Sequence, residues 1–375
     1  MRPKLVDNLV CPVCSGALGL QSFEATSERV DEGLLVCDAC SVWYPLLRGI
    51  PVLLDFRIEL HDTFARRHAG AIPDRLIAPR GAPRPGESSV QETFTEEWRA
   101  PGESELSFTY SAEDLVELNR RVWLPWLSNA GAGHEVRTVL DAGCGLGAES
   151  VALRAVTGAD VVGVDLNLAL LDGPHAQDPP PGVDFVVASI FALPFRPGSF
   201  DLVYSQGVLH HTYSTRAAFG AVSRLVSERG YLFVWLYARE DRFASPAKRG
   251  AAVRAAFALE HALRPLVSRA PVSLREAFFA AATRLAHPLL KPRMRHSERW
   301  ERENTDAYLR DWLSPPFAHR HGWNEVIEWF EDAGFEIVGM QSPAAYRDLF
   351  GAPLWGVGLT GRRLGALPSP GSAGR

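Results

Sequence analysis

Two groups of residues in this chain have types and spacings that could do chemistry. Cys11 and Cys14 are separated by two residues, as are Cys37 and Cys40, while a fifth cysteine, Cys144, stands apart. Each Cys-x-x-Cys pair can place two thiolates on one tetrahedral Zn²⁺. The twenty-two residues between the pairs suit a hairpin that brings them together. Two disulfides, or four unliganded thiols, are the alternatives. Four protein ligands would close the coordination sphere, so such a zinc is structural rather than catalytic. A unit of about sixty residues also has too small a core to be stable without it.

The second group begins at Val139-Leu140-Asp141-Ala142-Gly143-Cys144-Gly145-Leu146-Gly147. An apolar run ends in an acid, passes through Gly-x-Gly-x-Gly and opens a helical stretch. Glycines there permit positive φ and close approach of a ligand, and a helix N-terminus favours a carboxylate. Val161-Val162-Gly163-Val164-Asp165 ends a second such run in an acid that can grip ribose hydroxyls. His210 and His211 follow a fourth run, at the edge where such sheets bind ligands, and are candidates for proton transfer; one of them could instead pack or cap the next helix. His319 and His321 are further candidates, with Tyr213 behind them. A glycine turn alone would equally fit a nucleotide-binding domain without group transfer. Cys144 reads as small-residue packing rather than a nucleophile.

The elements that must position these residues follow from periodicity. Residues 136–141, 160–165, 183–188, 200–205 and 230–237 each fit a buried parallel strand, with helical stretches at 148–156 and 215–226. That alternation predicts a Rossmann-like, doubly wound α/β sheet. Residues 111–129 predict a helix, with Ser111 capping, Asp114 three residues on, and Leu115, Leu118, Val122 and Trp126 on one face. The chain divides into a zinc ribbon (1–60), a linker and lid segment (61–110) containing the Pro/Gly/Arg-rich stretch 79–86, and a cofactor-binding core (111–238). A helical insertion or substrate lid (239–321) follows, then the rest of the core (322–362), with a helix-strand unit at 324–340, and a disordered tail (363–375). In the insertion Ala252, Ala256, Leu259, Leu263 and Leu266 form an apolar stripe.

The 375 residues are 46% hydrophobic with a net charge of −5, which argues against wholesale nucleic-acid binding. No segment is apolar enough to span a bilayer, and Asp7 interrupts any leader-like run, so a cytoplasmic location is expected. The insertion is locally basic, with sixteen Lys/Arg against nine Asp/Glu. Its arginines fit a solvated face, attraction of an anionic or carrier-bound substrate, or peripheral contact with a membrane.

The run Trp43-Tyr44-Pro45-Leu46-Leu47-Arg48-Gly49-Ile50-Pro51-Val52-Leu53-Leu54 completes a ribbon that resembles the small zinc-binding activator subunit of tRNA and protein methyltransferases, here fused to its enzyme. The glycine turn and Asp165, with Val187-Ala188-Ser189-Ile190-Phe191-Ala192-Leu193-Pro194-Phe195 and Phe200–Thr212, resemble class I S-adenosylmethionine (SAM)-dependent methyltransferases over residues 135–240. The Leu-Pro-Phe and Gly-Val-Leu-His-His-Thr signatures resemble the branch with quinone-biosynthesis and natural-product enzymes. Phe94–Trp98, and Asp311–Phe317 with the residues after it, resemble segments that fold over the active site in a subset of these enzymes.

That resemblance implies that Asp141, Gly143 and Gly145 line the pocket for the methionine moiety, with Cys144 inside the turn. It places Asp165 on the ribose diol and Leu166 on the adenine. The family's aspartate for the adenine amino group is replaced here by Ser189, leaving the Ile190 N–H, and Ser205 and Gln206 border the reaction centre. The expectation is a SAM-dependent methyltransferase acting on a small molecule in specialised or envelope metabolism, O-methylation ahead of N- or C-methylation. Methylation of tRNA or rRNA is the main rival, weakened by eight acids against five Lys/Arg in residues 1–60. A non-catalytic SAM-binding partner is the third reading. Oligomeric state is not legible.

Overall fold

The computed structural model describes residues 1–99, 110–129, 136–239, 251–293, 300–351 and 354–365. Parts of the expected lid segment and insertion, and most of the expected tail, lie outside these, as do the side chains of Ala252 and Ala256. In chain order the elements are β1 (Gly19–Ala25), β2 (Val30–Cys37), β3 (Val42–Leu47), β4 (Ile50–Leu53), α1 (Glu59–Arg67), α2 (Glu87–Trp98), α3 (Ala112–Leu118), β5 (Thr138–Ala142), α4 (Ala148–Thr157), β6 (Asp160–Asp165), α5 (Pro174–Gln177) and β7 (Val183–Ala188). They continue with β8 (Phe200–Gln206), α6 (Thr215–Ser223), β9 (Val226–Leu236), α7 (Ala251–Val267), α8 (Val272–Leu290), α9 (Arg302–Leu313), α10 (Trp323–Asp332), β10 (Phe335–Met340), α11 (Pro343–Phe350) and β11 (Val357–Arg363).

All eleven strands join one sheet in the order β1-β2-β3-β4-β7-β6-β5-β8-β9-β11-β10. The five expected parallel strands are there as β5 to β9, and β7 is buried along its whole length, as a strand covered on both faces must be. Chain direction around β5 reverses the strand order, and the crevice this opens at the strand carboxyl ends is where such sheets take ligands. Apolar clusters fill both faces, one around Val186, Val203, Leu232 and Phe330, the other around Val139, Phe185, Tyr204 and Phe233.

The ribbon is not set apart from this sheet. β4 pairs in parallel with β7, Val52 opposite Val187 and Leu53 opposite Ala188. The Val10 N–H donates to the Pro194 carbonyl at 2.9 Å, and Arg2 Nε donates to Asp184 at 2.7 Å. The Pro/Gly/Arg-rich stretch expected as a linker also packs: the Gly81 N–H donates to the Asp55 carbonyl, and Arg84 Nη1 meets both Asp55 carboxylate oxygens at 2.6 and 2.7 Å.

The helix expected over 111–129 is shorter and less regular. Ser111 and Asp114 form the capping box, with Leu115, Leu118 and Val122 buried, but α3 loosens into a π-turn at Asn119–Trp123 and stops ahead of Pro125. Proline cannot donate the next ladder bond and disfavours a helical residue before it. In the insertion, Leu263 and Val267 pack against Phe279, Leu309 and Leu313, whereas Leu259 and Leu266 point to solvent, so the apolar stripe divides between two faces. β11 was not anticipated: its sequence, Val-Gly-Leu-Thr-Gly-Arg-Arg, has two glycines and two arginines, and its β propensity comes from lying between β9 and β10. No helix among the described residues is long and apolar enough to cross a membrane.

Candidate functional site

The four ribbon cysteines converge. Cys11 follows a 3₁₀ turn at Pro3–Asn8, Cys37 ends β2, and Cys14 and Cys40 lie in the two knuckles. Their sulfurs all fall within 4.8 Å of one another, with Cys11–Cys40 at 3.6 Å, Cys14–Cys37 at 3.5 Å and Cys14–Cys40 at 3.7 Å. Sulfurs bound tetrahedrally at ~2.3 Å from Zn²⁺ would stand about 3.8 Å apart, whereas a disulfide needs ~2.05 Å. The donor set fits a structural zinc. Tyr44 Oη lies 3.2 Å from Cys11 Sγ, where a hydroxyl can donate to a thiolate. Gly16 is held free of a side chain, since a Cβ there would sit 3.2 Å from Cys14 Sγ.

A cavity of about 410 Å³ opens at the carboxyl ends of β5, β6, β7 and β8, within the range of small-molecule sites. Asp141, Gly143, Cys144, Gly145, Asp165, Leu166, Ile190, Gln206 and His211 line it. At the glycine turn, Gly143 has φ +95° and Gly145 φ +58°, and a Cβ on Gly145 would meet the Trp98 indole of α2 at 2.8 Å. Asp165 fastens this turn: its Oδ2 accepts from the Gly145 N–H at 2.8 Å and its Oδ1 from the Asn167 N–H at 2.9 Å. Burial raises the Asp165 carboxyl above its ordinary range, against the pull of those N–H groups.

Asp141 accepts from Ser150 Oγ at 2.6 Å, and burial pushes its pKa up to about 8. Glu149, in the first turn of α4, accepts from Tyr204 Oη at 2.5 Å and Asn119 Nδ2 at 2.8 Å, and burial raises it also. The Cys144 thiol is pushed well up by burial and by the neighbouring carboxylates, which suits packing and not attack.

His211 Nδ1 lies 2.8 Å from the Phe317 carbonyl oxygen. A carbonyl only accepts, so Nδ1 carries the proton, and in the neutral ring the lone pair falls on Nε2. Burial holds the His211 pKa down to about 4, so the ring is neutral at ordinary pH. Asp311, reaching in from α9, also lines the cavity, and burial pushes it up to about 6.

Five of the expected residues are directed elsewhere. Ser189 donates to the Glu87 carboxylate and accepts from the Phe191 N–H at 3.1 Å; Ser205 Oγ donates to the Ala142 carbonyl at 2.8 Å beneath the cavity floor. His210 is fully buried, stacked on Tyr237 at 3.9 Å, with neither ring nitrogen bonded among the described residues. Burial drives its pKa well down. His319 stacks on Phe317, and His321 bridges Glu325 at 3.0 Å and Thr215 at 2.9 Å, tying the end of the insertion to α6. Neither His319 nor His321 lines the cavity.

Sequence reading missed Glu87, Glu149, Tyr237 and Trp235 on the cavity wall. Glu149 carried a signal, as an acid just inside the helix opened by the glycine turn. Glu87 carried none, because its segment reads as a connector. Basic charge from the insertion stands behind the cavity wall: the Arg264 charge acts on His211 and Asp311, and Arg320 lies 5.4 Å from the centre of the Tyr237 ring. Arg264 and Arg320 pair with Glu260, Arg275 with Glu96 and Arg310 with Glu276, and no Lys or Arg is among the described lining residues. Glu87, Asp141, Glu149, Asp165 and Asp311 are.

Residues 140–234 match the methyltransferase domain family, and residues 2–49 match the family of Trm112p-like proteins. An uncharacterized protein of Synechococcus is 26% identical over 210 residues, 54% of this chain and 48% of its own length. The 24-methylenesterol C-methyltransferase 2 of Oryza sativa subsp. japonica is 31% identical over 108 residues, 28% of this chain and 29% of that enzyme. A UPF0434 protein of Azotobacter vinelandii is 40% identical over 55 residues, 15% of this chain and 77% of that protein. The chain thus spans about half the length, or less, of the first two of these relatives.

Proposed function

We propose that this chain, which belongs to the Trm112p-like family through its N-terminal unit and carries a methyltransferase domain after it, transfers the methyl group of SAM to a small-molecule hydroxyl. The observation that supports this best is one cavity shared by Asp141, the Asp165-braced glycine turn and the neutral His211. SAM brings its own activation in the sulfonium leaving group, so the protein's part is positioning, exclusion of water and removal of the acceptor's proton. In this reading Asp141 meets the methionine end, Asp165 the ribose diol, and Leu166 and Ile190 the adenine. Gln206 borders the reaction centre, and His211 Nε2 takes the acceptor proton as Phe317 fixes the tautomer.

The acceptor's reacting end is uncharged and apolar or aromatic. The walls there are Phe94, Phe191, Tyr213, Trp235, Tyr237 and Phe317, with no Lys or Arg among the described lining residues. The same lack weighs against an RNA acceptor, whose phosphates would make affinity fall steeply with salt. A cytoplasmic setting, where thiolate ligands stay reduced, is part of this reading.

His211→Ala is expected to lower kcat about a hundredfold while leaving SAM affinity within about threefold, the signature of a lost general base. With the His211 pKa near 4, the base form persists at neutrality, so wild-type kcat should be flat from pH 6 to 8 and fall only toward pH 4. A kcat unchanged by the substitution would remove His211 from the mechanism.

Asp141 offers a second check. With its pKa near 8, the carboxyl is protonated at pH 7 before a ligand binds, and a ligand ammonium would favour the charged form. Binding of S-adenosylhomocysteine at pH 7 should therefore release a proton. Calorimetry in buffers of different ionisation enthalpy should show it, and Asp141→Asn should abolish it. An observed enthalpy independent of buffer contradicts this assignment.

A further inference from the structure

We propose that Glu87 is the carboxylate that recognises the exocyclic amino group of the cofactor's adenine, so that this group is read from α2 and not by the Ser189 side chain at the end of β7. This rests on the cavity being a SAM site. β6 and β7 are hydrogen-bonded neighbours, and adjacent strands lie about 4.8 Å apart. A nucleoside held by its ribose hydroxyls on Asp165, at the end of β6, extends its base across the end of β7 toward Ser189 and Ile190. Ser189 is fully buried and does not line the cavity; its hydroxyl proton goes to Glu87, and one of its lone pairs to the Phe191 N–H.

Glu87 itself is 5% exposed, yet it lines the cavity. Its carboxylate is braced from two directions: Ser189 Oγ donates to Oε1, and the Arg84 N–H donates to Oε2 at 2.7 Å. The Arg84 guanidinium stands 3.9 Å away and is itself held by Asp55. Each carboxylate oxygen has two lone pairs, so one accepted bond apiece leaves capacity for a ligand donor. Gly86, immediately before, has φ +71° and lies so close to the Phe317 ring that a Cβ would stand 2.5 Å from it. The first turn of α2 is therefore pinned, and the Glu87 carboxylate is placed before any ligand arrives.

The adenine edge presents a donor, its amino group, beside an acceptor, its N1. A carboxylate at Glu87 matches the donor. The Ile190 N–H, first in the 3₁₀ turn Ile190–Ala192 where N–H groups lack an intrahelical partner, matches the acceptor. A base with a 6-oxo group would turn a carbonyl toward the carboxylate, setting acceptor against acceptor.

The test is a titration of the full chain with S-adenosylhomocysteine and with S-inosylhomocysteine, in which a carbonyl replaces the amino group. Wild type is expected to prefer the adenosyl ligand about a hundredfold. The inosyl ligand also carries a proton on N1, facing the Ile190 N–H, so Glu87→Ala should cut that preference at least about tenfold and leave the remainder set at Ile190. Glu87→Gln keeps the size and a partner for Ser189, and its amide can donate to a carbonyl, so it should lower the preference at least about tenfold. A Glu87 that merely anchors α2 would weaken both ligands together, and a preference unmoved by both variants overturns the inference alone. Failure of folded wild type to bind either ligand overturns the methyltransferase reading, and this inference with it.

Discussion

Asp165→Ala is expected to weaken SAM binding about a thousandfold while the protein stays folded. In the proposed site the Asp165 carboxylate accepts from both ribose hydroxyls. Charge-assisted bonds contribute roughly 2 kcal/mol each, so losing two costs about 4 kcal/mol, close to three decades of affinity. The same oxygens hold the Gly145 and Asn167 N–H groups, so the substitution also releases the turn on which the cofactor would rest. Asp165→Asn keeps one acceptor and should fall between the two. Calorimetric titration with SAM, paired with circular dichroism to confirm folding, measures this. Unchanged affinity in a folded Asp165→Ala protein would mean that this cavity does not hold the nucleoside.

Removing zinc is expected to be the more drastic perturbation. Structural zinc supplies on the order of 10–16 kcal/mol of folding free energy in small ribbons, which equals or exceeds the whole stability of an ordinary domain. Here the loss should spread. The ribbon's last strand is a neighbour of β7, and β7 leads directly into Ser189 and Ile190. Chelation, or Cys37→Ser, should lower the midpoint of thermal unfolding by at least about 10 °C and weaken SAM binding in the same step. Elemental assay should find about one zinc per chain before treatment, as four sulfurs on one tetrahedron require. A chelated protein that melts unchanged would show that the cysteine cluster contributes nothing to the fold.

The parallel strands were legible because each is a short apolar run closed by a turn or an acid, and burial on both faces leaves no other pattern. The cysteine cluster was legible because ligand spacing is a local property of the chain. Asp141, the glycines and Asp165 belong to the same class, since each sits at a strand end that periodicity locates. The histidines were not so easily sorted. His210 and His211 are adjacent in sequence, yet one stacks on Tyr237 out of reach of the cavity while the other lines it and meets the Phe317 carbonyl. That outcome depends on partners distant in sequence, Phe317 lying 106 positions from His211. Ser189 misled for a similar reason, its hydroxyl being claimed by Glu87 from a segment whose prolines and glycines suggested only a connection. The joining of ribbon and catalytic strands was hidden as well, because a four-residue strand such as Ile50–Leu53 carries no mark of which neighbour it will choose.

That joining has a consequence for how the molecule can be divided. β7 is buried on both faces, and part of its outer edge pairs with Val52 and Leu53. A fragment beginning after the ribbon would present there an apolar strand with open amide and carbonyl groups, the kind of surface that templates self-association. The ribbon thus acts as a built-in guard against aggregation for the sheet it precedes.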